Sequence, residues 1–321
     1  MLSKSKVNIL IPSIIKKFDK NLEGIIKEDI IILKKIKKYV VSSGGKRIRP
    51  FSHYLFCKFL NVKGVSWLDV GSVAELIHAA SLLHDDVVDN ASVRRGKPTV
   101  GAVFGNKTAI LAGDYLLACG IQRLNSLANP KLMDLFSQVL RDLSVSELLQ
   151  MEWEKNPKMT LKIYDSIIYG KTASLFGVCT ESAAILANVK PKECSAYREF
   201  GVRLGKLFQK KDDCLDYFVS EKHSGKEFLK DFTNGLYTYP VLVLKSKMNT
   251  SQKKELDVLF AKEVRDEEDQ KTIVHWMQEF NIEAVIAGEL KKEKVFLVNF
   301  LNQFPNSTER ELFLDQLERL A

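Results

Sequence analysis

An all-α fold is what this sequence predicts, and three observations carry it. Leu132, Leu135, Phe136, Val139, Leu140 and Leu143 recur at the spacing of one helix face, and the same period returns in most segments. Alternating patterns of the kind a half-buried strand shows are scarce. Six of the prolines, Pro50, Pro98, Pro130, Pro157, Pro191 and Pro305, fall between helical patterns, where a missing N–H costs least.

Taken in order, the chain starts with an apolar stretch, Val7 to Ile15, that Pro12 interrupts and no small-residue cleavage site follows, so it reads as an amphipathic lead-in. Gly44-Gly45-Lys46-Arg47-Ile48-Arg49-Pro50 reads as a glycine-led turn into a helix. The run Leu76 to Leu83 is strongly apolar and helical and ends in His84-Asp85-Asp86-Val87-Val88-Asp89. Between Ser220 and Thr238 the pattern turns polar and is punctuated by Gly225 and Gly235, as in a loop between helices. Thr308 and Glu311 form a predicted capping box ahead of Phe313, Leu317 and Leu320, which extends the helical reading to the C-terminus. There is no repeat of fixed period and no low-complexity linker, so residues 1–321 are expected to form a single domain.

Composition narrows the function. The 321 residues are 45% apolar and 27% charged, enough for a core and unlike a disordered chain. The excess of 48 basic over 40 acidic residues favours an anionic small molecule, an acidic membrane surface or nucleic acid. A nucleic-acid site calls for a basic stripe with interleaved aromatics, and none is present; Lys291, Lys292 and Lys294 are interrupted by Glu293 and read as a solvated helix face. Five scattered cysteines with no CxxC pair fit a reducing cytoplasm. No apolar run is long enough to span a bilayer, so any membrane contact is peripheral.

The chemistry concentrates in two acidic clusters. Asp85 and Asp89 are four apart and share one helix face, where their oxygens can aim at a common metal. Ionised carboxylates after so apolar a run are costly unless paired or bound to a cation, whereas a solvated helix end costs little. Asp212-Asp213-Cys214-Leu215-Asp216 repeats the spacing. Two such clusters offer the hard oxygen ligands that Mg²⁺ takes alongside substrate phosphates. Cations suited to phosphate stand nearby: Lys46, Arg47 and Arg49 on the glycine-led turn, and Arg94 and Arg95 after the first cluster, where pairing with Asp86 or Asp89 is the plainer alternative. His78, seven residues before Asp85, returns to nearly the same face.

The set Gly44–Pro50, His84–Asp89 with Arg94-Arg95-Gly96-Lys97-Pro98-Thr99, Gly113-Asp114, Gly170-Lys171-Thr172, and Phe208-Gln209 ahead of Asp212–Asp216 resembles the trans-isoprenyl diphosphate synthase family. The motifs span residues 44–240. The resemblance implies a helical bundle around a central cavity and a Mg²⁺-dependent homodimer that condenses isopentenyl diphosphate with an allylic diphosphate such as farnesyl diphosphate. By it, Lys46, Arg49, His78 and Arg95 hold isopentenyl diphosphate, while Arg94, Lys171, Thr172, Gln209 and Lys226 hold or assist the allylic partner. Asp85, Asp89 and Asp212 are the main metal ligands implied, with Asp216 beside them. Gln150 resembles a further family position near the first cluster. One departure stands out: Leu236 follows Gly235 where the family usually carries lysine, and Lys210 or Lys211 is a candidate to compensate.

The implied nucleophile is a substrate double bond, which explains why no residue looks like a dedicated base. A class I terpene cyclase or head-to-head synthase would ionise the same kind of substrate without needing Lys46 and Arg49. A non-catalytic partner subunit should have one cluster degraded, and both are intact. Product length is expected to follow from Ala80 and Ser81, about one helical turn below the carboxylates. Family members with a short product carry a bulky aromatic there. Small residues leave a channel towards Ile77, with a floor near Phe136, and imply an octaprenyl-range product.

Overall fold

The computed structural model describes residues 4–27, 29–42, 47–218 and 228–320. It is helical almost throughout, in two compact units: Met1–Leu140 with Leu175–Gly201 and Phe304–Phe313, and Arg141–Ser174 with Val202–Gln303 and Leu314–Ala321.

The first unit is built from α1 (Lys4–Ile25), α2 (Ile31–Ser42), α3 (Ile48–Phe59), α4 (Ser66–Val88), α5 (Val100–Phe104) and α6 (Asn106–Ser126), with parts of later helices. Helix α4 is its axis, packed against α6, α3 and α1. Leu76, Ala80 and Leu83 of α4 are buried with Leu22, Ile36, Ala109, Ala112 and Leu116 in one apolar cluster. Small residues let α4 and α6 close: a Cβ on Gly113 would lie 2.2 Å from Nε2 of His84. A second cluster stacks Phe56 against Phe200, Phe304 and Phe313. Between the apolar layers His53 is fully buried, its Nδ1 2.8 Å from the Cys179 carbonyl and 3.0 Å from Ser182 Oγ, so its polar edge is satisfied.

Two short strands, Val93–Arg94 and Lys97–Pro98, pair as a hairpin whose turn puts Arg95 at φ 52° and Gly96 at φ 72°. Both corner residues are left-handed, which matches the right-handed twist of the flanking strands.

In the second unit the chain runs through the C-terminal part of α7 (Pro130–Trp153), α8 (Leu161–Ile168), a π-helical turn over Tyr169–Ala173, and the C-terminal half of the helix Pro191–Phe218. The helix Tyr239–Lys247 packs on α8 and on Ile282–Leu301, with Tyr164 and Tyr239 stacked at 5.8 Å. A Cβ on Gly170 would meet the Asp142 carbonyl at 2.5 Å, so the π-turn and α7 touch through bare backbone.

Three local expectations change. Helix α1 continues through Pro12, inside the stretch expected to be interrupted. The last helix, Thr308–Leu320, is capped by Ser307, whose Oγ accepts from Arg310 N at 3.1 Å, one residue before the expected cap. The polar stretch 220–238 is partly outside the described residues, and its remainder forms a short helix, Lys230–Thr233, followed by a turn at Gly235 with φ 73°. No helix among the described residues is long and apolar enough to cross a membrane.

Candidate active site

In the first unit the acidic cluster sits at the C-terminal end of α4. Asp85 is half-buried, Asp86 is buried and Asp89 is exposed at the helix cap. One residue is about 100° of helix, so Asp86 faces away from the Asp85–Asp89 side. There it accepts from Arg94 Nε at 2.5 Å. The cation that the family resemblance assigns to the allylic partner is therefore oriented by the middle carboxylate, one of the two pairings that the sequence offered as the plainer alternative.

Around His78 the same unit gathers charge. Burial first, and then the positive fields of Arg49, Arg95, Arg94 and Arg47, hold the His78 imidazole neutral, well below its ordinary pKa. Arg49 itself is pressed downward by burial, lies 4.8 Å over the Phe176 ring, and has a buried Nε with no hydrogen-bond partner. An arginine so placed leaves a donor for an anion. Arg47 differs: buried, with φ 47°, it is held by Glu75 at 2.5 Å and Asp19 at 3.2 Å. Its role is structural. Arg94, Arg95 and Lys97 line one pocket with Tyr39, Ala79 and Asp86. Ala80 and Ile77 are fully buried, Phe136 likewise, and Ser81 is half-buried with its hydroxyl on the His78 carbonyl at 3.0 Å. Lys46 lies outside the described residues.

The second unit repeats the logic. Asp212 is half-buried, and Asp213 is buried and accepts from Tyr164 Oη at 2.6 Å and Gln209 Nε2 at 2.9 Å. Burial pushes the Asp213 carboxyl up to about 6 despite those bonds. Gln209 is thereby fixed, and its Oε1 accepts from the Thr172 hydroxyl at 2.9 Å. Lys171, on the π-turn, reaches Gln150 Oε1 at 3.0 Å and Glu147 at 2.8 Å. A π-turn adds a residue to a helical turn and so re-aims what it carries. Asp216 is buried, and its two oxygens accept from the Lys230 and Asp231 amides, each at 3.0 Å. Leu236 is half-buried beyond Gly235, and Lys210 lies 4.8 Å over the Tyr239 ring. Lys226 lies outside the described residues.

Among the described residues no three His, Cys, Asp or Glu side chains converge as a protein-only metal cage. Two carboxylates on one helix face suit an ion whose shell is completed by water and phosphate oxygens, which is the habit of Mg²⁺.

Residues 31–277 match the polyprenyl synthetase family. The chain belongs to that family. Its octaprenyl diphosphate synthase relative from Escherichia coli K12 is 36% identical over 214 residues, which are 67% of this chain and 66% of that relative, just under two thirds of its length. The all-trans-nonaprenyl-diphosphate synthase (geranyl-diphosphate specific) of Rhodobacter capsulatus is 37% identical over 240 residues, covering 74% of this chain and 72% of that one. The crystal structure of a polyprenyl synthase from Caulobacter crescentus CB15, complexed with calcium and isoprenyl diphosphate, superposes with a TM-score of 0.88 over 99% of this chain and 97% of that one; at 24% identity the likeness speaks for the fold.

The sequence assigned no role to Asp213, Tyr164 or Glu147, and it offered Asp86 only as a partner for Arg94 or Arg95. The two aspartates carried a signal: in a DDxxD cluster the middle acid cannot share the face of the other two.

Proposed function

We propose that this polyprenyl synthetase condenses isopentenyl diphosphate onto an allylic diphosphate, farnesyl diphosphate or similar, to give an all-trans polyprenyl diphosphate in the octaprenyl range, with Mg²⁺ held by Asp85, Asp89 and Asp212. The supporting observation is the basic group around a neutral His78. Arg49 and Arg95 provide for a second diphosphate, which a cyclase acting on one substrate does not need.

In this reading Arg49, Arg95 and Lys46 bind isopentenyl diphosphate, and neutral His78 can donate a hydrogen bond to it without competing for charge. Arg94 and Lys171, each held by an acidic neighbour, offset the negative charge that grows on the departing diphosphate. Bound Mg²⁺ would supply Lewis-acid neutralisation of that diphosphate. Thr172 and Gln209 form a fixed dipole pair beside it, with Lys226 as a further cation. Apolar walls around Ile77 and Ala80 exclude the water that would quench a carbocation. The exposed face of α6, with Ile110, Leu111 and Ile121 at 43%, 58% and 44% exposure, supports a homodimer. The five free thiols support a reducing cytoplasm.

The test is to incubate the purified chain with Mg²⁺, isopentenyl diphosphate and farnesyl diphosphate and to size the dephosphorylated products. Elongated all-trans products are expected. Asp85→Ala and Asp212→Ala should each lower turnover at least roughly a hundredfold with the fold retained, since each removes a ligand from transition-state charge stabilisation. Near-wild-type turnover in either variant at saturating Mg²⁺ would overturn the assignment, and cyclised products would favour the cyclase.

A further inference from the structure

The two N-terminal helices carry a surface that the catalytic reading leaves unused. Helix α1 buries Ile14, Phe18 and Leu22 and turns Lys16, Lys17 and Lys20 outward, with exposed Lys27 just beyond its end. Helix α2 buries Ile36 and half-buries Ile32 and Leu33, so Ile31, Lys34, Lys35 and Lys38 share its exposed face at i, i+3, i+4 and i+7. At the junction between the helices Ile30 is 58% exposed and Ile31 73%.

Two adjacent isoleucines in water, framed by lysines on both helices, are not the isolated apolar contact common on any surface. Lysines outnumber acids here: residues 16–38 hold eight lysines against four acids, Asp19, Glu23, Glu28 and Asp29, of which Asp19 is paired with Arg47 and Asp29 with Lys34 at 2.9 Å. The junction is also braced. Lys37 turns inward and donates from Nζ to the Ile26 carbonyl at 2.8 Å, closing the end of α1 onto α2.

We infer that the α1–α2 junction docks peripherally on an anionic lipid surface, with Ile30 and Ile31 entering the interface and the flanking lysines meeting the headgroups. The combination decides between partners. Lysines alone would suit a nucleic-acid backbone equally, but two exposed isoleucines with no aromatic for base stacking suit an acyl boundary. Each lysine adds an increment that falls off within a Debye length, so the attachment is salt-sensitive.

Co-sedimentation of the full chain with phosphatidylcholine vesicles, with and without 30 mol% phosphatidylglycerol, tests this. Binding is expected to the anionic vesicles only, and to be lost at high salt. Ile30→Ser/Ile31→Ser and Lys34→Glu/Lys35→Glu should each weaken it roughly tenfold or more, with melting temperature and sedimenting mass unchanged because these side chains are exposed. A solvatochromic dye on Ile31→Cys, labelled selectively because the native thiols are buried, should shift to the blue on anionic vesicles and not on duplex DNA. Binding that ignores phosphatidylglycerol or either variant, a dye that stays in water, or preference for DNA at equal ionic strength would overturn the assignment. So would a change of oligomeric mass in the isoleucine variant, which would give the junction to a second copy of the chain.

Discussion

Asp86 and Asp213 each stand one residue from a proposed metal ligand, and that single step of helix turns them to a different task. Each is buried and holds a neighbour to which the proposed function gives a role, Arg94 in one case and Gln209 in the other. The acids were legible in the sequence, and so was the choice of Asp86 or Asp89 as a partner for Arg94; which of the two would take it, and that Asp213 would hold Gln209, was not, because burial depends on packing. Ala80 shows the same limit. Its small size was legible, while its complete burial beside α6 belongs to the fold. Ala80→Tyr should give chiefly farnesyl- or geranylgeranyl-sized product with ionisation retained, at a cost of about 1–3 kcal/mol from overpacking. Product sizing checks it, and an unchanged distribution from an active, folded variant would mean that the growing tail runs elsewhere. His53 makes a second residue-scale prediction. Burial lowers its pKa from 6.5 to about 4, so between those values the unfolded chain binds a proton that the native state refuses. Stability from this group is therefore complete above about pH 6.5 and is lost as pH falls towards 4, by on the order of 3 kcal/mol. Urea unfolding across that window should show the loss in the wild type and a flatter profile in His53→Gln.

At the scale of elements, glycine marks where helices meet. Gly170 faces the Asp142 carbonyl and Ser146, and neither backbone can retreat cheaply, whereas a Cβ on Gly120 of α6 would find Val73 at 3.5 Å, an ordinary contact. Gly170→Ala should therefore destabilise by about 1–3 kcal/mol and disturb Lys171 and Thr172, which follow it on the π-turn. Gly120→Ala should be neutral or stabilise by up to about 1 kcal/mol through helix propensity and lost unfolded-state entropy. Paired thermal melts and steady-state kinetics would show the contrast; equal effects would mean that the π-turn yields. Helix positions were legible from period and proline placement. Ends were less so: the last helix, Thr308–Leu320, is capped by Ser307 rather than by Thr308 because neighbouring hydroxyls compete to cap the same amides.

At the scale of the molecule, Asp85 and Asp212 belong to different compact units, so a ligand that needs both must report on both. Mg²⁺ with inorganic diphosphate should raise the melting temperature of the wild type, since a ligand at a hundred times its Kd stabilises by about 2.7 kcal/mol. Asp85→Asn and Asp212→Asn should each reduce that rise, measured by scanning calorimetry. A variant that keeps the full shift would remove its carboxylate from diphosphate binding. The all-helical class, the two acidic clusters, the basic turn and the membership that residues 31–277 declare were all present in the order of amino acids. Periodicity assigns a side chain to a face, and local spacing decides which carboxylates share one. What each face meets is a long-range matter. Packing alone made Arg47 structural and left Arg49 with an unbonded donor, closed both oxygens of Asp216 on the amides of Lys230 and Asp231, and sealed His53 between Cys179 and Ser182. The physical reason is that burial and hydrogen-bond partnership depend on segments distant in sequence, and no local pattern encodes which of them will arrive.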